Sequence, residues 1–167
     1  LVMNNGTQSL TYLIEKLVTE WPSNTGIRLY LGPTPLSVKA LEYIKKNEKV
    51  VRLNDISETH DFIGRANFIL ARCGFNTLSE MIHSSAYGFL VNEVNNPEIA
   101  SNLDYASKIG FEIIDSNYFT TKKLFESINK INLNKKTTKQ LCQKGREELL
   151  VGRKECINTM LKIIKIE

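Results

Sequence analysis

The chain has 167 residues, of which 42% are hydrophobic, 8% aromatic and 24% charged. That is the composition of one ordinary globular domain, and it excludes disorder, collagen and coiled coil. The net charge is +4, but residues 1–121 hold 10 basic and 13 acidic side chains while residues 122–167 hold 12 and 5, so the basic character belongs to the C-terminal part. No apolar run reaches the roughly 18–20 residues that cross a bilayer, and the first ten residues lack the pattern of a signal peptide, so the expected location is the cytoplasm.

The first apolar stretch is Leu1 to Asn4, which enters a turn as if a strand had been joined midway; the expectation is a piece of a longer chain. From there short apolar runs alternate with amphipathic stretches of helical length, the signature of βα units and a parallel sheet. The remaining predicted strands are Ile27 to Leu31, Lys49 to Leu53, Phe68 to Ala71, Gly88 to Val91 and Phe111 to Ile114. Between them helices are predicted near 8–20, 35–47, 57–65, 76–84 and 97–109. Their start signals are Ser9, Pro35, Ser57 with Glu58, and Pro97, and Gly110 is placed as a C-terminal cap. After the sixth strand the pattern turns helical, near 120–131, 135–149 and 153–165. The expected fold is α/β: a Rossmann-like, doubly wound, parallel six-stranded sheet with helices on both faces and a helical C-terminus, in a single domain over 1–167. In the C-terminal part lysines interleave with apolar positions at helical spacing, which fits a solvated amphipathic helix better than a nucleic-acid face.

Cys73, Cys142 and Cys156 form no CxxC pair, and His60 and His83 are the only histidines, so neither a disulfide framework nor a metal site is indicated. Doubly wound sheets bind ligands beyond the carboxyl ends of their strands, which directs attention to the loops after strands one, four and five. The first loop, Asn4-Asn5-Gly6-Thr7-Gln8-Ser9, is not GxGxxG and carries no Walker lysine, so neither a nicotinamide cofactor nor ATP is supported. The fourth strand runs into Arg72-Cys73-Gly74-Phe75-Asn76-Thr77-Leu78-Ser79-Glu80. Here Gly74 allows a tight turn and a close backbone approach, Asn76 or Thr77 can cap the next helix, and the N–H groups of its first turn suit an anion. Glu80 lies one turn further on, where a carboxylate can take ribose hydroxyls; Thr77-x-x-Glu80 equally fits a capping box.

Arg72-x-Gly74-x-x-Thr77-x-x-Glu80, arriving after an apolar strand and opening a helix, resembles the nucleotide-sugar signature of GT-B glycosyltransferases. It is most similar to the C-terminal domain of the N-acetylglucosaminyltransferases that form lipid II. Asn5-Gly6-Thr7-Gln8 stands where that family has Gly-Gly-Thr-x-Gly, and Leu53-Asn54-Asp55-Ile56 where it has the loop that holds the base. Glu98-x-x-x-Asn102 stands where it has Gln-Gln-x-x-Asn, and Gly152-Arg153-Lys154-Glu155 resembles the start of its terminal helix. The resemblance implies one half of a GT-B fold that binds a UDP-sugar donor without cofactor or metal. It further implies that Gly74, Phe75, Asn76 and Thr77 hold the diphosphate with Arg72 supporting them, that Glu80 binds ribose and that Leu53 and Ile56 meet the base. Glu98 and Asn102 would face the sugar, and Asn5, Gly6 and Thr7 would line the cleft. A sugar, nucleotide-sugar or lipid-linked acceptor and the catalytic base would belong to an N-terminal domain preceding this one, with no nucleic acid as partner and a place at the inner face of the plasma membrane.

The sequence departs from the family at Glu98 and Ile99, which replace the two glutamines, and at Asn5, which replaces a glycine, so the identity of the sugar is not inherited. Asn95-Asn96-Pro97-Glu98 and Lys108-Ile109-Gly110-Phe111-Glu112 resemble UDP-sugar hydrolases of nonulosonic acid biosynthesis almost as well. A donor-binding subunit docked on a membrane partner and a non-catalytic nucleotide-binding module are the other readings.

Overall fold

In the computed structural model the described residues are 2–3, 8–92, 96–132, 140, 142–148, 154 and 155. Asn5, Gly6 and Thr7, most of the predicted helices over 135–149 and 153–165, and Cys156 lie outside them. Strands and helices alternate as β1 (Val2–Met3), α1 (Gln8–Glu20), β2 (Leu29–Leu31), α2 (Val38–Lys46), β3 (Val50–Arg52) and α3 (Ile56–Ile63). They continue as β4 (Phe68–Arg72), α4 (Phe75–Ser84), β5 (Tyr87–Val91), α5 (Pro97–Lys108), β6 (Glu112–Ile114) and α6 (Thr121–Asn132), with a 3-10 turn at Ser116–Tyr118 that the sequence reading lacks. Residues 142–148 are helical as well.

The strands lie in the order β3-β2-β1-β4-β5-β6, and every pairing is parallel. Because β4 returns to the far side of β1, the order reverses between these two strands, and the crevice at their carboxyl ends is the switch point of a doubly wound sheet. Successive side chains on a strand point to opposite faces, and β4 and β5 show it. Leu70, Phe89 and Val91 join Leu10, Leu13, Leu17, Ala40, Leu124 and Ile128 in one core. Ile69, Ala71 and Leu90 join Ile63, Leu78, Met81, Ile82, Ile99 and Leu103 in the other. Thus α1, α2 and α6 cover one face and α3, α4 and α5 the other. Cys142 packs in the second core, which brings the C-terminal segment onto the same layer as α4 and α5.

Helix boundaries correct several expected start signals. Ser9 lies inside α1, which already begins at Gln8. Ser37 rather than Pro35 caps α2, its Oγ accepting the Ala40 N–H at 3.3 Å. Asp55 rather than Ser57 caps α3: its Oδ1 accepts from Glu58 N at 2.7 Å, and Glu58 Oε2 accepts from Asn54 N at 2.7 Å. In both helices the residue immediately before the first turn carries the side-chain oxygen that accepts from that turn. Asn96 caps α5 with Pro97 first inside it, as Pro97 predicts. At the other end Gly110 has φ 93°, with Gly110 N bonded to Ser107 O and Phe111 N to Ala106 O, the paired bonds of a Schellman cap.

Candidate functional site at the switch point

At the carboxyl end of β4, Arg72 is the last strand residue and is half-buried, and Cys73 is fully buried. Gly74 is the N-cap of α4 with φ −70° and ψ 150°, and no side chain caps the helix. Two expectations therefore change. Asn76 and Thr77 are inside the helix and Thr77-x-x-Glu80 is not a capping box. The Gly74 backbone also adopts an angle open to any residue, so no tight turn requires the glycine. Beside Gly74 there is open space: a Cβ added there would meet nothing within 4 Å. The first bond of the helix is Leu78 N to Gly74 O at 3.0 Å, so the N–H groups of Phe75, Asn76 and Thr77 precede it and point out of the helix start. They add to the positive end of the helix dipole and form an anion-receptive corner.

Phe75 and Asn76 are exposed around this corner, Thr77 is buried at 7% exposure, and Glu80 is half-buried one turn further along. Residues three apart share a helix face, so Thr77 and Glu80 line the same side. Asn102, in the second turn of α5, donates from Nδ2 to the Cys73 carbonyl at 3.0 Å. One N–H of its amide thus holds the chain that leads into Gly74. Glu98 is exposed in the first turn of α5, beyond the end of β5. Leu53 follows β3 with its side chain 2% exposed and its N–H donated to Leu31 O at 2.8 Å. Ile56 is the first residue of α3.

Burial pushes the Cys73 thiol up to about 12, so it stays protonated near neutral pH. His83 lies in the last turn of α4, away from the corner, with Nδ1 2.8 Å from Ser79 O. Asp104 is paired with Lys108 along α5. Sequence reasoning missed the Asn102 tether and the α4 cap, because a bond between residues 29 apart and a cap without a side chain leave no local signal. Among the described residues no helix is long and apolar enough to cross a membrane.

The parallel sheet, its order and its two helical layers define a doubly wound, Rossmann-like α/β fold. The chain is similar in structure to MurG of Acinetobacter baumannii, with a TM-score of 0.62 and 15% identity over 87% of this chain and 44% of that one. It is also similar to the glycosyltransferase SnogD from Streptomyces nogalater, with a TM-score of 0.59 and 14% identity over 85% of this chain and 38% of that one. The chain thus spans less than half the length of these structures. No protein-family model matches the sequence, and no curated protein matches it.

Proposed function

We propose that this chain is the donor-binding half of a GT-B glycosyltransferase that takes a UDP-sugar and passes its sugar to an acceptor held by a separate N-terminal domain. The observation that carries this reading is the uncapped start of α4 at the switch point, with open space over Gly74 and Glu80 on the adjoining turn. MurG, one of the similar structures, belongs to the family that the sequence resembles.

In this reading the N–H groups of Phe75, Asn76 and Thr77 and the Thr77 hydroxyl take the diphosphate, and the Glu80 carboxylate takes the ribose hydroxyls. The leaving UDP gains negative charge as the glycosidic bond breaks. Preorganised N–H dipoles stabilise that charge more in the transition state than in the ground state, which is how a donor half contributes to rate. Arg72 and Asn102 support the corner from behind, Asn102 through the Cys73 carbonyl. Glu98 faces the sugar, and Leu53 and Ile56 meet the uracil. The site works at a cytoplasmic surface, and the acceptor domain supplies the catalytic base.

Calorimetric titration with UDP, UMP, ADP and GDP at one salt concentration tests the proposal. Saturable binding that prefers UDP supports it, whereas equal or absent binding of all four overturns the assignment of this corner as a UDP site. Transfer and hydrolysis are then separated by supplying the acceptor domain and following whether UDP-sugar is consumed without acceptor.

A further inference from the structure

Helix α5 turns one stripe of side chains toward α4. Glu98, Asn102 and Tyr105 are four and then three residues apart, so they share a face of the helix, beside the buried edge formed by Ile99, Leu103 and Ala106. The two inner members are tied down on the α4 side. Tyr105 donates from its hydroxyl to Gly145 O at 3.5 Å, and Gly145 is packed on α4 so closely that a Cβ there would come within 3.2 Å of Ile82. Asn102 donates from Nδ2 to Cys73 O at 3.0 Å, the carbonyl directly ahead of Gly74. Glu98 is the outer member and is exposed, and among the described residues no hydrogen bond or ion pair engages its carboxylate.

Because α5 leaves the carboxyl end of β5, its first turn stands further out than its second, and Glu98 lies about 5.4 Å outward of Asn102 along the helix axis. The carboxylate and the N–H groups at the start of α4 therefore border the same space. A fixed negative charge beside an anion-receptive corner works against a ligand that is only an anion. It suits a ligand that continues from its anionic part into a neutral part rich in hydrogen-bond donors.

We propose that Glu98 selects the donor sugar by charge: the site takes a hexose that offers hydroxyl groups toward α5 and rejects a hexuronic acid. This role of Glu98 rests on the reading of the Gly74 corner as the diphosphate site. A carboxylate has only acceptor oxygens, so the hydroxyls of a neutral sugar donate to it in charge-assisted bonds. A uronate brings a second negative charge with no proton to share, and the unfavourable pairing with the wrong ligand adds to the selectivity. An amide at the same place would offer a donor as well as an acceptor and would lose that discrimination.

Calorimetric titration of this chain with UDP, UDP-glucose and UDP-glucuronic acid tests the proposal in the parent, in Glu98→Gln and in Asp104→Asn. Asp104 lies on the same helix, exposed and paired with Lys108, so its replacement removes the same charge from another face. In the parent UDP-glucuronic acid is expected to bind about tenfold more weakly than UDP-glucose, the size of one like-charge pair in partly exposed surroundings. Glu98→Gln narrows this gap to about twofold or less once the charge is gone, while Asp104→Asn keeps it. Equal affinities for the two sugars in a parent that binds UDP overturn the role of Glu98 and leave the corner standing. A gap that survives in Glu98→Gln, or that closes equally in Asp104→Asn, overturns it too, because the discrimination then comes from another group or from net charge. Absence of UDP binding overturns the corner itself and the selection with it.

Discussion

The two ends of the sheet differ in what they present. The amino end holds a cavity of about 550 Å³ whose walls mix apolar side chains with Arg28, Arg65 and Asn67, whereas the carboxyl end offers a corner built from backbone N–H groups, one glycine and one carboxylate. A core substitution at the amino end is therefore expected to act on stability, and one at the carboxyl end on the UDP affinity proposed above.

The largest effect is expected at Phe89, which is 1% exposed and reaches from the core to the cavity wall. Phe89→Ala costs about 3–5 kcal/mol in urea or guanidinium unfolding. UDP affinity of the protein that remains folded stays unchanged; a matching loss of affinity would show that the two ends are not separable. At the carboxyl end, Glu80→Ala weakens UDP binding by about 1–3 kcal/mol through loss of charged hydrogen bonds, with thermal unfolding checking that the fold is kept. Unchanged affinity removes Glu80 from the ribose role.

Asn102→Ala sharpens the contrast, since it touches the corner only through the Cys73 carbonyl. It is expected to cost about 1 kcal/mol of stability and to lower UDP affinity severalfold by loosening the approach to Gly74, read by unfolding and by calorimetry on the same samples. Gly74→Ala has its methyl directed into open space, so its melting temperature stays close to that of the parent while UDP affinity falls. The smallest effect at neutral pH comes from Cys73. With its thiol raised to about 12 from an ordinary 9.0, the unfolded chain releases this proton first. Stability contributed by the protonated thiol is complete below pH 9 and is lost as pH rises from 9 toward 12. A pH series of unfolding curves for the parent and Cys73→Ala should diverge only in that alkaline window.

Local rules carried the fold further than the site. Each strand proposed from apolar runs overlaps an observed strand, because a buried parallel sheet writes itself as short uninterrupted hydrophobic segments, Phe68 to Ala71 being the clearest. Helix starts were harder to read, since Ser57 and Asp55 are both good caps by type and only the geometry with Glu58 decides between them. Gly74 illustrates a different limit: its residue type suggested a special backbone angle, while the structure gives it an ordinary one with open space beside it. Asn102 and Cys73 meet only because α5 and the end of β4 pack together, a tertiary fact without a sequence period.

The helix above the central strand has a consequence for cooperativity. In the sheet the β2–β3 ribbon and the β4–β5–β6 ribbon lie on either side of β1. Leu10, Leu13, Ile14 and Leu17 of α1 share one core with Leu29 and Leu31 of the first ribbon and with Leu70, Phe89 and Val91 of the second. One helix thus braces both ribbons, and shortening its apolar side chains is expected to speed amide exchange on both sides of β1 together.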